Sequence, residues 1–141
     1  MSRLVLERAA PGEVTVTRTR PLATHGLTHI ALAVESPPRS LRFYRAVFGV
    51  REYYRDADSI QVLGPGPHDV IAFERDPGHA GLRGGIIHFG FRLKDPKDID
   101  AAVAAVERAG GSISSRGEFA PGCPYAYVTD PDGYEIEIWY E

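Results

Sequence analysis

The sequence has a single cysteine, Cys123, among its 141 residues, so it can form neither an intramolecular disulfide nor a cysteine-rich zinc site. Cys123 is expected as a small packed residue rather than a nucleophile. An excess of basic charge is also missing: 16 Lys and Arg are interspersed with 19 Asp and Glu, for a net charge of -3. No basic stripe is available to neutralise a nucleic-acid backbone or an anionic bilayer, so neither is an expected partner. No stretch approaches the roughly 20 consecutive apolar residues of a membrane span. Met1 to Leu22 has no apolar run of signal-peptide length, and a cytoplasmic location is expected. A chain of this length can bury one real core, and a small molecule is its default partner.

What the chain does have is an internal repeat. Leu27-Thr28-His29-Ile30-Ala31-Leu32-Ala33-Val34 and Ile86-Ile87-His88-Phe89-Gly90-Phe91-Arg92-Leu93 both have strand character with histidine in third place, and His88 follows His29 by 59 residues. At the same offset Ser36-Pro37 falls on Asp95-Pro96, two helix-start signals. A Ser or Asp side chain accepts from free N–H groups of the first turn, and Pro there forfeits no bond. Helices are predicted at about Pro38–Phe48, ending at Gly49, and about Lys97–Ala109, ending at Gly110-Gly111. Strands are predicted at Arg51–Arg55, Ser59–Leu63 and Asp69–Glu74 after the first helix, and at Ser112–Ser115, Tyr125–Thr129 and Tyr134–Tyr140 after the second. The pattern is βαβββ twice, with the glycine-rich stretch from Asp76 to Gly85 as linker. Module one covers about residues 25–80 and module two about 84–141, together one domain. Residues 1–24 form an N-terminal arm in which Glu13–Thr17 alternates like a strand, to pair with an edge or a neighbouring chain, or to fray.

Side chains alternate across a strand, so His29 shares a face with Leu27, Ala31 and Ala33, and His88 with Ile86, Gly90 and Arg92. The branched residues on the other faces, Ile87, Phe89, Phe91 and Leu93 in module two, are expected to pack under the helix. Small residues two places after each histidine suit the lining of a ligand cavity better than a core. The last strand carries Glu135, Glu137 and Trp139 on one face. Two imidazoles and one carboxylate match the ligand preferences of Fe(II), Mn(II), Zn(II) or Ni(II) and leave positions open for substrate. One histidine on a strand is more often structural; two at equivalent places in a duplicated unit, with an acid on the closing strand, favour ligation.

The run Asp130-Pro131-Asp132-Gly133-Tyr134-Glu135-Ile136-Glu137-Ile138 resembles the turn and final strand of the vicinal oxygen chelate superfamily, which includes glyoxalases, extradiol dioxygenases, fosfomycin-modifying enzymes and bleomycin-sequestering proteins. The likeness spans about Gly26 to Glu141. It implies an α+β fold in which two βαβββ modules form a curled, cup-shaped mixed sheet with helices outside. It further implies one divalent metal ion held by His29, His88 and Glu137, with Glu135 the rival to Glu137. A homodimer is implied as well, since many small members build their cups from two chains.

Within that superfamily, glyoxalase-like members carry a fourth ligand on the last strand of module one. Ala72 falls nearest that place and Glu74, of the same parity, two residues on, so Glu74 is a possible fourth ligand. With Ala72 there, a facial two-histidine, one-carboxylate set remains, typical of non-haem Fe(II) oxygenases. Tyr127 resembles the tyrosine that precedes the Asp-Pro turn in extradiol dioxygenases, and the resemblance implies a catalytic role for it, hydrogen-bonding bound substrate or oxygen beside the metal. The histidine those enzymes place ahead of it is lacking between Gly117 and Ala126, and His79 in the linker is more simply an exposed loop residue. Arg92 is expected to bind an anionic substrate group, and Tyr125 and Trp139 to wall a planar one. The expected function is a metal-dependent enzyme, with Fe(II) or Mn(II) favoured, acting on a substrate with vicinal oxygens in extradiol-dioxygenase fashion. Glyoxalase-like lysis or isomerisation is one alternative; sequestration of a small molecule, as in bleomycin resistance, is another.

Overall fold

A computed structural model describes residues 4–9, 13–18 and 21–141. Strands β1 (Leu4–Ala9) and β2 (Glu13–Arg18) pair with each other as an antiparallel hairpin, which gives the alternating Glu13–Thr17 segment its partner. Module one follows as β3 (His29–Val34), α1 (Pro37–Phe48), β4 (Arg51–Arg55), β5 (Ser59–Leu63) and β6 (Val70–Arg75). Module two repeats it as β7 (Phe89–Arg92), a 3-10 turn at Pro96–Asp98, α2 (Ile99–Arg108), β8 (Ser112–Ala120), β9 (Cys123–Thr129) and β10 (Glu135–Trp139).

Local chemistry sets these boundaries. The Ser36 hydroxyl accepts from the Arg39 N–H at 3.3 Å, Pro37 opens the helix, and Gly49 ends it at φ 66, a left-handed conformation that glycine adopts without Cβ strain. In module two Asp95 accepts from the Lys97 N–H at 2.9 Å, but the tight 3-10 turn it caps delays the α-helix to Ile99.

Each module folds its four strands into its own sheet, ordered β3-β6-β5-β4 and β7-β10-β9-β8. The first strand of each module runs parallel to the last, β3 with β6 and β7 with β10, while the remaining pairs are antiparallel. The architecture is thus α+β with two βαβββ modules, its strands divided between two sheets whose outer strands include β3 and β7. A helix covers one face of each sheet, and one buried cluster joins them, including Leu32, Val34, Phe43 and Phe73 of module one and Val106, Val128, Ile136 and Ile138 of module two. The Phe48 and Phe91 rings stack across the module boundary at 3.8 Å.

Two expectations fail at the start of module two. Ile86 and Ile87 are not in a strand, and Ile87 is 72% exposed instead of packing under α2. The reason is register: pairing of β7 with β10 begins at Phe89 opposite Ile136, so the residues before Phe89 have no strand partner. β8 in turn runs to Ala120, five residues beyond its predicted end, because β9 begins at Cys123 and pairs with it along its full length.

Candidate metal and substrate site

The register of module two sorts its residues by face. Gly90 lies beside Glu137 and Glu137 beside Tyr127; Arg92 lies beside Trp139 and Trp139 beside Tyr125. The intervening Ala126, Val128, Ile136 and Ile138 are fully buried beneath α2, so the first set occupies the open face. His88, immediately before β7, reaches the same face: its Nε2 lies 3.2 Å from Glu137 Oε2. The Tyr127 hydroxyl donates to Glu137 Oε1 at 3.0 Å, and desolvation together with that carboxylate raises the phenol above its ordinary pKa. His88 Nδ1 is buried without a hydrogen-bond partner, with Glu135 Oε1 4.0 Å away.

This donor set fits part of a divalent-metal centre. One imidazole nitrogen and one carboxylate oxygen face each other, and the carboxylate's second oxygen is fixed by a phenol. Among the described residues, however, no group of three or more His, Cys, Asp or Glu side chains is assembled to hold a metal, so His29 does not join His88 and Glu137 within the chain.

His29 opens β3 on the exposed face of the other sheet, where Ala31 lies beside Ala72 and Ala33 beside Glu74. Superimposing the two strand patterns makes Ala72 the counterpart of Glu137 and Glu74 the counterpart of Trp139. A bulge between Glu52 and Tyr54 frees Tyr53 from the ladder, and its hydroxyl donates to Gln61 beside Ala72 at 2.6 Å. Simple alternation along β4 gave no sign of this pair.

A cleft of about 1010 Å³ separates β3 from residues 86–91. His29 and His88 both border it, together with the apolar Leu27, Ile86 and Ile87. Leu27 is 99% exposed. The other sequence candidates are also accounted for. The Arg92 guanidinium lies 5.3 Å over the Trp139 ring and donates to the Glu141 carbonyl. His79 pairs with Asp76 at 2.9 Å in the exposed linker, and the His25 ring lies against that of His68, centroids 4.1 Å apart and planes tilted by 33°. Cys123 is half-buried with its thiol free.

Residues 26–138 match the model of the family described as the Glyoxalase/Bleomycin resistance protein/Dioxygenase superfamily. The chain is 28% identical over 117 residues to a probable trivalent organoarsenical cleaving enzyme of Bacillus subtilis, covering 79% of this chain and 77% of that one. It is 26% identical over 115 residues to a manganese-dependent 2,3-dihydroxybiphenyl 1,2-dioxygenase of Geobacillus genomosp. 3, covering 80% of this chain but only 36% of that enzyme. Its fold resembles that of the fosfomycin resistance protein FosX from Mesorhizobium loti, with a TM-score of 0.69 at 21% identity over 84% of this chain and 94% of that one. Among the described residues no helix is long and apolar enough to cross a membrane.

Proposed function

Because the chain belongs to the glyoxalase/bleomycin resistance protein/dioxygenase superfamily, we propose that it is a divalent-metal enzyme acting on a small substrate with vicinal oxygens, in the manner of an extradiol dioxygenase. The observation that carries this reading is the contact of His88 Nε2 with Glu137 Oε2 at 3.2 Å, on an open sheet face, with Tyr127 bonded to the same carboxylate.

In this reading His88 and Glu137 of one chain and His29 of a second copy hold the ion, iron(II) or manganese(II) in preference to zinc(II) or nickel(II). A second copy is favoured because His29 is not brought to the pair within the chain, while the cleft beside both histidines is rimmed by exposed Leu27, Ile86 and Ile87. When bound, the ion supplies Lewis acidity and a template for two adjacent substrate oxygens. The protein supplies the rest. Tyr127 fixes the orientation of Glu137, its hydroxyl donating to Oε1. Glu135 Oε1, 4.0 Å from His88 Nδ1, is the nearby acid that a small movement would bring within hydrogen-bond reach of that ring nitrogen. Tyr125 and Trp139 offer flat walls, and Arg92, stacked on Trp139, a positive charge at their margin.

Two features favour this over the alternatives. Ala72 stands where module one would offer a second carboxylate, which leaves the two-histidine, one-carboxylate set rather than a four-ligand one. Trivalent arsenic is thiol-seeking, and a sequence with Cys123 as its one cysteine has no thiol pair to chelate it.

The test is metal analysis of protein purified without chelator, with His29→Ala and His88→Ala alone and co-expressed. Each variant alone should lose the metal. In a mixed dimer, His29 of one chain meets His88 of the other at one of the two sites, so half the metal should return. Full metal in His88→Ala overturns the ligand assignment; no recovery in the mixed dimer overturns the shared site.

A further inference from the structure

The linker between the modules ends in a tight turn that brings a cation to the cleft. The Ile86 N–H donates to the Arg83 carbonyl at 2.9 Å, and the residues between them, Gly84 and Gly85, stand at φ 55 and φ 94. Two successive left-handed residues make a turn of this hand, which glycine adopts without Cβ strain. A Cβ on either would meet nothing within 4 Å, so conformation and not crowding selects glycine there. The turn folds Arg83 back on the residue before His88: its Nη1 donates to the Ile87 carbonyl at 3.1 Å. Arg83 borders the same cleft as His29 and His88, and among the described residues no other Arg or Lys does so. Arg92, the guanidinium expected to meet an anion, is instead held over Trp139 and bonded to the Glu141 carbonyl.

One carboxylate separates Arg83 from the metal half-site. Glu135 Oε2 lies 3.9 Å from Arg83 Nη1, and Glu135 Oε1 lies 4.0 Å from His88 Nδ1. At 3.9 Å the acid balances charge without accepting a hydrogen bond from the guanidinium. Nε and Nη2 of Arg83 bond to nothing among the described residues, and the side chain is 46% exposed. We infer that Arg83 is an anion subsite of this cleft, taking a carboxylate that the substrate carries apart from the vicinal oxygens that reach His88 and Glu137. The inference rests on the function proposed above for the chelating end, and on the glycine turn, the Ile87 bond and the open guanidinium for the other. A planar guanidinium with free N–H groups matches a carboxylate in shape as well as in charge. Asp69 and Glu135 border the same cleft, so its charge suits a singly charged anion better than a phosphate dianion, and an anion gains there only through Arg83.

The experiment is an anaerobic calorimetric titration of the full chain, supplied with manganese(II), with 3,4-dihydroxybenzoate and with its carboxamide. The two probes share a chelating ring and a shape and differ in charge. Their affinity ratio is compared between variants, so the effect of the substituent on the chelating oxygens cancels. Metal content and oligomeric state are measured on the same samples. The carboxylate should bind roughly tenfold more tightly than the amide. Arg83→Gln, which keeps a donor for the Ile87 carbonyl but no charge, should cut that ratio to about twofold or less with metal content unchanged. Arg83→Lys, which keeps the charge, should retain a preference of about threefold or more. Equal affinities in the wild type overturn the inference, as does failure of the carboxylate to bind or a preference that survives Arg83→Gln. A loss as complete in Arg83→Lys overturns it too, because the charge remains and only the turn is disturbed. An Arg83→Gln variant that changes only its oligomeric state also overturns it, and assigns the guanidinium to contact with a second copy. If manganese does not bind but the Arg83-dependent preference persists, the subsite stands and the metal assignment falls. If manganese binds and no preference is seen, the subsite alone falls.

Discussion

Ala72 occupies in module one the place that Glu137 occupies in module two. Each lies on the last strand of its module, beside the residue two after the module's histidine: Ala72 beside Ala31, Glu137 beside Gly90. Glu74, one pleat further along β6, is therefore the counterpart of Trp139, at the strand end and exposed. A one-step error in aligning the repeats would exchange these roles, and the ladder hydrogen bonds fix the register. Glu74→Ala is accordingly expected to leave metal stoichiometry and affinity unchanged. A loss of metal in that variant would show that β6 shifts on assembly and that Glu74 is a fourth ligand.

Tyr127 touches Glu137 through one hydrogen bond of 3.0 Å to Oε1, and the other carboxylate oxygen faces His88. Removing that bond leaves the carboxylate in place but frees its rotation. Tyr127→Phe should therefore keep the metal while weakening its affinity about tenfold or more, the usual effect of losing a partner behind a ligand. Competition with a chelator measures this. Unaltered affinity together with slowed turnover would instead mean that the phenol serves the substrate and not the carboxylate.

The βαβββ duplication was legible because it is written in local signals: a histidine third in each strand segment, a capped proline after it, glycine at each helix end. That His88 and Glu137 meet on one face was legible from parity and the closing turn. Three things were not. Ile87 has the composition of a core residue, and only the point at which β10 begins pairing shows that it lies outside the sheet. Tyr53 and Phe119 are re-aimed by bulges, and a bulge breaks the period of two on which face assignment depends. The separation of His29 from His88 and Glu137 depends on how two modules pack, which a repeat within each module does not encode.

Gly111 marks a place where the modules leave no room. A Cβ there would lie 2.4 Å from the Thr129 carbonyl oxygen, 2.7 Å from Val106 Cγ1 and 2.8 Å from Phe43 Cε2, so β9, α2 and the α1 helix of module one all press on it. Backbone cannot yield as a flexible side chain would. Gly111→Ala should destabilise the fold by about 1–3 kcal/mol, the ordinary cost of overpacking. Denaturant midpoints at constant m-value provide the measurement; a change under about 0.5 kcal/mol would mean that α1 moves freely over module two.

The turn at Asp130-Pro131-Asp132-Gly133, which the sequence offers only as the approach to a ligand strand, also fastens the modules together. Asp132 accepts from the Glu35 N–H and from Arg39, and the Tyr44 hydroxyl donates to buried Asp130 at 2.8 Å. Burial pushes the Asp130 carboxyl above its ordinary range, while Tyr44 and the N–H groups of Tyr134 and Asp132 pull it back. Tyr44 itself is pushed well above the ordinary phenol range, first by burial and then by Asp130. For both groups the native state holds its proton more tightly than the unfolded chain, so the stability each contributes is full below its unfolded pKa and is lost as pH rises through the raised native value. Tyr44→Phe deletes the bond and raises Asp130 further. The variant should be about 1.5–3 kcal/mol less stable at neutral pH, where the carboxylate is charged and short of a partner. That deficit should shrink below about pH 4, where Asp130 is protonated in both states, and again above about pH 10, where only the wild type is penalised for a buried phenol. Urea unfolding of both proteins at pH 3.5, 7 and 10.5, chosen as roughly spanning these ranges, tests the argument. A deficit constant across all three would mean that the bond between Tyr44 and Asp130 is not coupled to either ionisation.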